Sequence, residues 1–130
     1  MTNAISTFIT AIHLAALSQI ESNDNDLAVG RNGEVSRYQI SRGIWDSHAR
    51  IRRHGRYVVL DPREESTARI VAMYLWNDRV TWFEGEEKRA PTMTELYGLW
   101  HRPSRAGQLR PRELERAQRF ANLVEEMEKK

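Results

Sequence analysis

In three stretches of the chain, apolar side chains return every three to four residues, the spacing of a helix that buries one face. Ile5, Phe8, Ile9, Ile12, Ala15, Ala16 and Ile20 mark the first and predict a helix from about Ala4 to Glu21. Ala68, Val71, Ala72, Leu75 and Trp76 mark the second, opened by Asp61-Pro62-Arg63-Glu64 as a cap, a first-turn proline and an acidic first turn. Leu114, Ala117, Phe120, Ala121, Val124 and Met127 mark the third, led in by Pro111. With 130 residues and 40% apolar content, the chain suits one hydrophobic core. The expectation is a single domain, 1–130, that is mostly α (α+β), with helices around a small β-hairpin.

Between these stretches the punctuation is local. Asn32-Gly33, flanked by "LAVGR" and "EVSRY", predicts the tight turn of that small hairpin. Ser41 predicts an N-cap for a helix through about Arg53, ended by "HGR". Glu84 to Pro91 is expected as a charged loop. Thr92-Met93-Thr94-Glu95 has the capping-box pattern for a short helix through Trp100. Pro103 to Pro111 is expected as a connection.

Several function classes lose support at this level. The absence of Cys excludes disulfides and thiolate chemistry. His13, His48, His54 and His101 form no His-Glu-x-x-His or related spacing, so no metal or cofactor is expected. No apolar run approaches a membrane span and the N-terminus lacks a basic n-region, so neither membrane insertion nor a signal peptide is expected. The net charge is only +2, and 17 of the 20 basic residues are Arg spread along the chain. A cluster of Arg50, Arg52, Arg53 and Arg56 beside His48 and His54 suits either a solvated face or an anionic polymer. Nucleic acid is not the expected partner, and the oligomeric state is not legible.

The stretch "IESNDNDLAVGRNGEVSRYQIS" holds two carboxylates, one ending an apolar helix at Glu21 and one after a turn at Glu34. A carboxyl at the end of a buried helix is desolvated and keeps its proton near neutrality, whereas one in a wetter loop ionises. Two carboxylates pushed apart in this way are what glycoside cleavage uses.

The same stretch resembles the core motif of the lysozyme-like superfamily, especially the soluble lytic transglycosylases and their lysozyme relatives. Glu21-Ser22 matches the Glu-Ser element, Ala28-Val29-Gly30 with Gly33 fits the intervening loop, and Gln39-Ile40 matches the Gln-Ile element. "TELYGLWHRPS" and "ERAQRFANLV" are similar to the family's late helices, with Trp100 and His101 in the register of its Tyr-Asn pair. The resemblance implies a lysozyme-like fold and cleavage of the β-1,4 bond between N-acetylmuramic acid and N-acetylglucosamine. It implies Glu21 as general acid/base, with Glu34, where chicken-type lysozymes carry Asp, as the second catalytic candidate. Ser36 (where the family carries Gly), Tyr38, Gln39, Trp100 and His101 are the implied substrate contacts. The implied partner is the peptidoglycan glycan strand, and the implied compartment is periplasmic or extracellular. Muramidase and lytic transglycosylase outcomes both remain open, and the alternative is a catalytically degenerate glycan-binding module.

Overall fold

The computed structural model describes residues 7–130. Among them are five α-helices, a short 3-10 turn and one two-stranded sheet, so the mostly helical expectation holds. Helix α1 (Ala11–Ser22) begins later than expected, because Thr10 caps it. The Thr10 hydroxyl accepts from the His13 N–H, and His13 Nδ1 accepts from the Thr10 N–H at 3.0 Å, a reciprocal pair that satisfies two helix-start donors. Ile5 lies outside the described residues, Phe8 is exposed, and Ile9 is buried ahead of the helix. Ala16 is buried as expected and Ile12 and Ile20 pack at the margin of the core, but the buried face of α1 is wider than predicted and centred elsewhere. It runs through Leu14 and Leu17, and Glu21 continues it one turn further on.

The segment after α1 makes two tight turns instead of a regular hairpin. Gly33 N–H donates to the Gly30 carbonyl and Gly30 N–H to the Glu34 carbonyl, so the Asn32-Gly33 turn closes as expected. Only isolated bridges, Val29 to Val35 and Val35 to Ile40, accompany it. Ser36 and Gln39 adopt left-handed backbone at φ 73 and 55, which stops a ladder from growing.

Helix α2 (Arg42–His48) is shorter than predicted, and the two-stranded sheet lies where its second half was expected. Strand β1 (Arg50–Arg53) pairs antiparallel with β2 (Arg56–Val59), with Arg53 opposite Arg56. His54 and Gly55, at φ 51 and 75, form the turn, since a two-residue hairpin loop of this kind needs positive φ at both centres. "HGR" is thus a hairpin turn and not a helix stop.

Helix α3 (Glu65–Glu87) starts after the predicted cap and absorbs part of the expected charged loop. The Asp61 carboxylate accepts from Arg63 N–H at 2.9 Å and pairs with its guanidinium, closing a local turn that competes with capping. Helix α4 (Met93–His101) starts with the expected Thr92 capping box. Its Gly98 lies against the chain after it, where a Cβ would sit 2.8 Å from Ala106 Cα. Helix α5 (Pro111–Glu128) buries Ala117, Phe120 and Val124, while Leu114, at the edge of the stripe, is exposed.

The core gathers where α1, α3, α4 and α5 meet. Trp76 lies within 5.7 Å of Phe120 and 5.5 Å of Trp100, ring centre to ring centre, and its indole N–H donates to the Leu96 carbonyl. Removing a buried ring such as Phe120 typically costs about 3–5 kcal/mol. Among the described residues no helix is long and apolar enough to cross a membrane.

Candidate active site

Glu21 leaves the buried stripe of α1 at the helix's last turn. Asn23 then turns the chain at φ 54, its N–H donating to the Gln19 carbonyl, so the helix stops with Glu21 still facing inward. Ser22 anchors the loop beyond the helix. Its hydroxyl donates to the Arg37 carbonyl at 2.7 Å and accepts from the Asn25 N–H at 3.0 Å, pinning both ends of the loop to α1. The Arg37–Asp26 ion pair, 2.7 Å, closes the loop from its other side. The Glu-Ser pair therefore has two physical jobs: the carboxyl is aimed into the molecule, and the hydroxyl holds the loop that faces it.

A cleft of about 570 Å³ opens over Glu21, within the range that takes a small ligand. Glu34, Gln39, Arg79, Trp100, His101 and Arg116 line it with Glu21. Burial pushes the Glu21 carboxyl up to about 7, against the downward pull of the Tyr97 hydroxyl and the Arg116 guanidinium, and the charge of Glu34 adds to the rise. The Tyr97 hydroxyl donates to Glu21 Oε1 at 3.1 Å. Burial and the neighbouring Glu21 push the Tyr97 phenol up, so it stays a donor.

Glu34 reaches the cleft from the turn. Its Oε1 accepts from the Asn32 N–H at 2.8 Å. Glycine at position 30 lets both side chains lie against the backbone: a Cβ there would lie 2.8 Å from Glu34 Oε1 and closer still to the Gln39 amide oxygen, so both side-chain ends would have to move. The Gln39 amide donates to the Ser36 carbonyl at 2.9 Å and the Ala28 carbonyl at 3.3 Å, which fixes the side chain on the wall.

Five of the seven site residues expected from the sequence thus share one cleft: Glu21, Glu34, Gln39, Trp100 and His101. Ser36 and Tyr38 do not join them. Ser36 is buried, its hydroxyl accepting from the Tyr38 N–H, and its left-handed backbone explains why glycine would suit the position. The Tyr38 side chain is in the core, where burial pushes its phenol up to about 12, and its carbonyl accepts the Trp100 indole N–H at 3.0 Å. Trp100 is only 6% exposed, and the Arg79 guanidinium lies 5.5 Å over its ring. It walls the cleft as a packed residue.

Comparison with protein-family models, with curated proteins and with solved structures gave no match.

Tyr97, Arg79 and Arg116 are site residues that sequence reasoning misses. Tyr97 reads as packing because it stands among the apolar Leu96, Leu99 and Trp100. Two signals point to it: a buried phenol needs an acceptor, and His101, one turn on, stacks on its ring at 5.8 Å. His101 is held in turn by Glu113, Nε2 to Oε2 at 2.9 Å, and burial lowers its imidazole against that pull. The side chain aimed at the Glu21 carboxyl is thus Tyr97.

Proposed function

We propose that this chain is a lysozyme-like glycosidase that cleaves the β-1,4 bond between N-acetylmuramic acid and N-acetylglucosamine in peptidoglycan, with Glu21 as general acid/base. The observation that carries this reading is the Glu21 carboxyl, pushed up to about 7 at the floor of a ligand-sized cleft. An acid with its pKa near the working pH is an efficient proton donor and, once ionised, an efficient base. Because the Tyr97 hydroxyl occupies Oε1, the acidic proton is directed to Oε2, where it can meet the glycosidic oxygen. As that oxygen takes the proton, the bond to the sugar's anomeric carbon breaks and positive charge develops on the ring.

Glu34 on the same wall supports hydrolysis, since a second carboxylate stabilises that charge or guides a water to the carbon. One observation favours the transglycosylase outcome instead. Glu34 Oε1 is engaged by the Asn32 N–H, the arrangement of a carboxylate that braces its own turn. In that case the substrate's acetamido oxygen attacks the anomeric carbon as the glycosidic bond breaks, and the ionised Glu21 then takes the proton of that sugar's own 6-hydroxyl, whose oxygen displaces the acetamido oxygen from the carbon and closes an anhydro end. Either outcome places the work on the cell wall, in a periplasmic or extracellular setting.

Mass spectrometry of purified peptidoglycan after incubation with the parent and with Glu21→Gln tests the proposal. Hydrated reducing ends made only by the parent identify a muramidase. Ends lighter by one water identify a lytic transglycosylase. A folded parent that releases no fragments overturns the proposal and leaves a glycan-binding module.

A further inference from the structure

The hairpin of β1 and β2 carries Arg50, Arg52, Arg53 and Arg56 within seven residues, and no carboxylate lies between Ala49 and Leu60. Every position of the two strands except Ile51 is exposed. Elsewhere six arginines are in ion pairs, among them Arg37 with Asp26, Arg89 with Glu95 and Arg102 with Glu113. Among the described residues none of the four hairpin arginines is in an ion pair. What sets the hairpin apart is density: four guanidinium groups on one projecting element with no carboxylate in either strand.

The hairpin is also preorganised. The Tyr57 ring holds the Arg50 and Arg52 guanidinium groups at 5.5 and 5.3 Å, keeping two charges on one face. Arg53 and Arg56 face each other across the first pair beside the turn. At its root, Leu60 N–H donates to the Ala49 carbonyl, and the Trp45 indole donates to the Leu60 carbonyl at 2.8 Å. Trp45 belongs to α2, whose Ile44 lines the cleft, so one rigid unit carries both the hairpin and part of the cleft wall. Between them a second cavity of about 470 Å³, lined by Ala28, Val29, Val59 and Leu60 among others, separates the cleft-bearing loop from the hairpin root.

We propose that this hairpin is a second binding site, which grips the carboxylates of the anionic peptidoglycan strand outside the cleft. The inference rests on the glycosidase reading for the choice of polymer. The tip is charged, the exposed Tyr57 ring beside it lies under two guanidinium groups, and the exposed aliphatic residues, Val58 and Val59, lie toward the root. That order suits a solvated polyanion lying along the hairpin; entry into a bilayer calls for the apolar residues at the tip. A cluster of one sign raises the local concentration of an oppositely charged polymer and is weakened by salt.

The test is co-sedimentation of the full chain with insoluble peptidoglycan, comparing the parent with R50Q/R52Q/R53Q/R56Q at low and high salt. The neutralised variant is expected to melt like the parent and to bind at least about tenfold more weakly at low salt, with the difference closing at high salt. Amidating the carboxylates of the peptidoglycan should weaken the parent to the level of the variant. Both proteins should release fragments from the amidated peptidoglycan at the same rate. Equal co-sedimentation of parent and variant, or tighter binding of the parent to a DNA duplex than to peptidoglycan, overturns the hairpin site. Loss of the glycosidase reading alone would show as binding that depends on the arginines with no fragments released.

Discussion

Glu21 and Glu34 face one cleft from opposite kinds of structure, and the contrast shows how a fold separates two like groups. Glu21 ends a helix on its buried stripe, so its carboxyl is desolvated and anchored by a phenol from another helix. Glu34 sits on a turn that its own carboxylate helps to close through the Asn32 N–H. A helix end delivers a side chain into the core with its backbone already satisfied. A turn delivers one to the surface and recruits it as a brace. The first environment stores a proton near neutral pH, and the second uses the charge.

The contrast breaks most completely when Glu21 is replaced. Glu21→Gln is expected to lower peptidoglycan cleavage by roughly 10²–10⁴-fold, the usual reach of a general acid. The same change should stabilise the fold at alkaline pH. The folded-state pKa is raised to about 7 from 4.5, so the folded protein holds the proton more tightly than the unfolded chain. The stability this contributes is fully present below pH 4.5 and is lost as pH rises through 7, leaving a buried charge that costs on the order of 3 kcal/mol. Thermal melts should therefore show the Gln variant above the parent at about pH 8 and alongside it at about pH 4. Coincident melts at both pH values would mean that Glu21 is solvated.

Tyr97 has the next strongest hold on Glu21. Its hydrogen bond favours the ionised carboxylate, so Tyr97→Phe should move the Glu21 titration upward, carrying the limb of the pH–rate profile that requires the protonated acid to higher pH. The rate itself is expected to fall by about tenfold, the loss of one charge-assisted hydrogen bond of about 1.5 kcal/mol that orients the acid. Arg116→Gln should shift the same limb in the same direction by less, since its charge acts without a fixed bond to the carboxyl. An unchanged limb in both variants would detach Tyr97 and Arg116 from the site.

Much of this arrangement is legible in the letters, and the parts that are not fail for definite reasons. Periodicity locates α3 and α5, and the Thr92 capping box locates α4, because these signals are local and nothing nearby competes. Periodicity marks only one margin of the α1 face, Ala16 with Ile12 and Ile20, because apolar residues lie on most sides of that helix, leaving the contact with α5 to centre it on Leu14 and Leu17. Strand β1 reads as the end of a helix because Ser41 does start one. Six residues past the end of α2, the turn depends on His54 accepting a left-handed backbone that Gly55 alone would suggest. The motif marks Glu21 and Gln39. It does not mark Tyr97, whose acceptor lies 76 residues away, a distance no short pattern encodes.

The smallest expected effect is also the most discriminating. Glu34 contributes least of the four influences on the Glu21 carboxyl, and its charge acts to raise it. Glu34→Gln should therefore shift the Glu21 titration slightly downward, opposite in sign to Tyr97→Phe and Arg116→Gln. The variant keeps an oxygen for the Asn32 N–H, so the turn and Gly30 wall should persist, and its melting temperature should stay near the parent's. With the structure held, the products report what the charge does. If Glu34 guides a water, hydrated ends decline while the downward shift persists. If it only braces the turn, the shift is the whole effect and the product distribution stays that of the parent. An upward shift would mean that the two carboxyls communicate through rearrangement of the loop and not through charge.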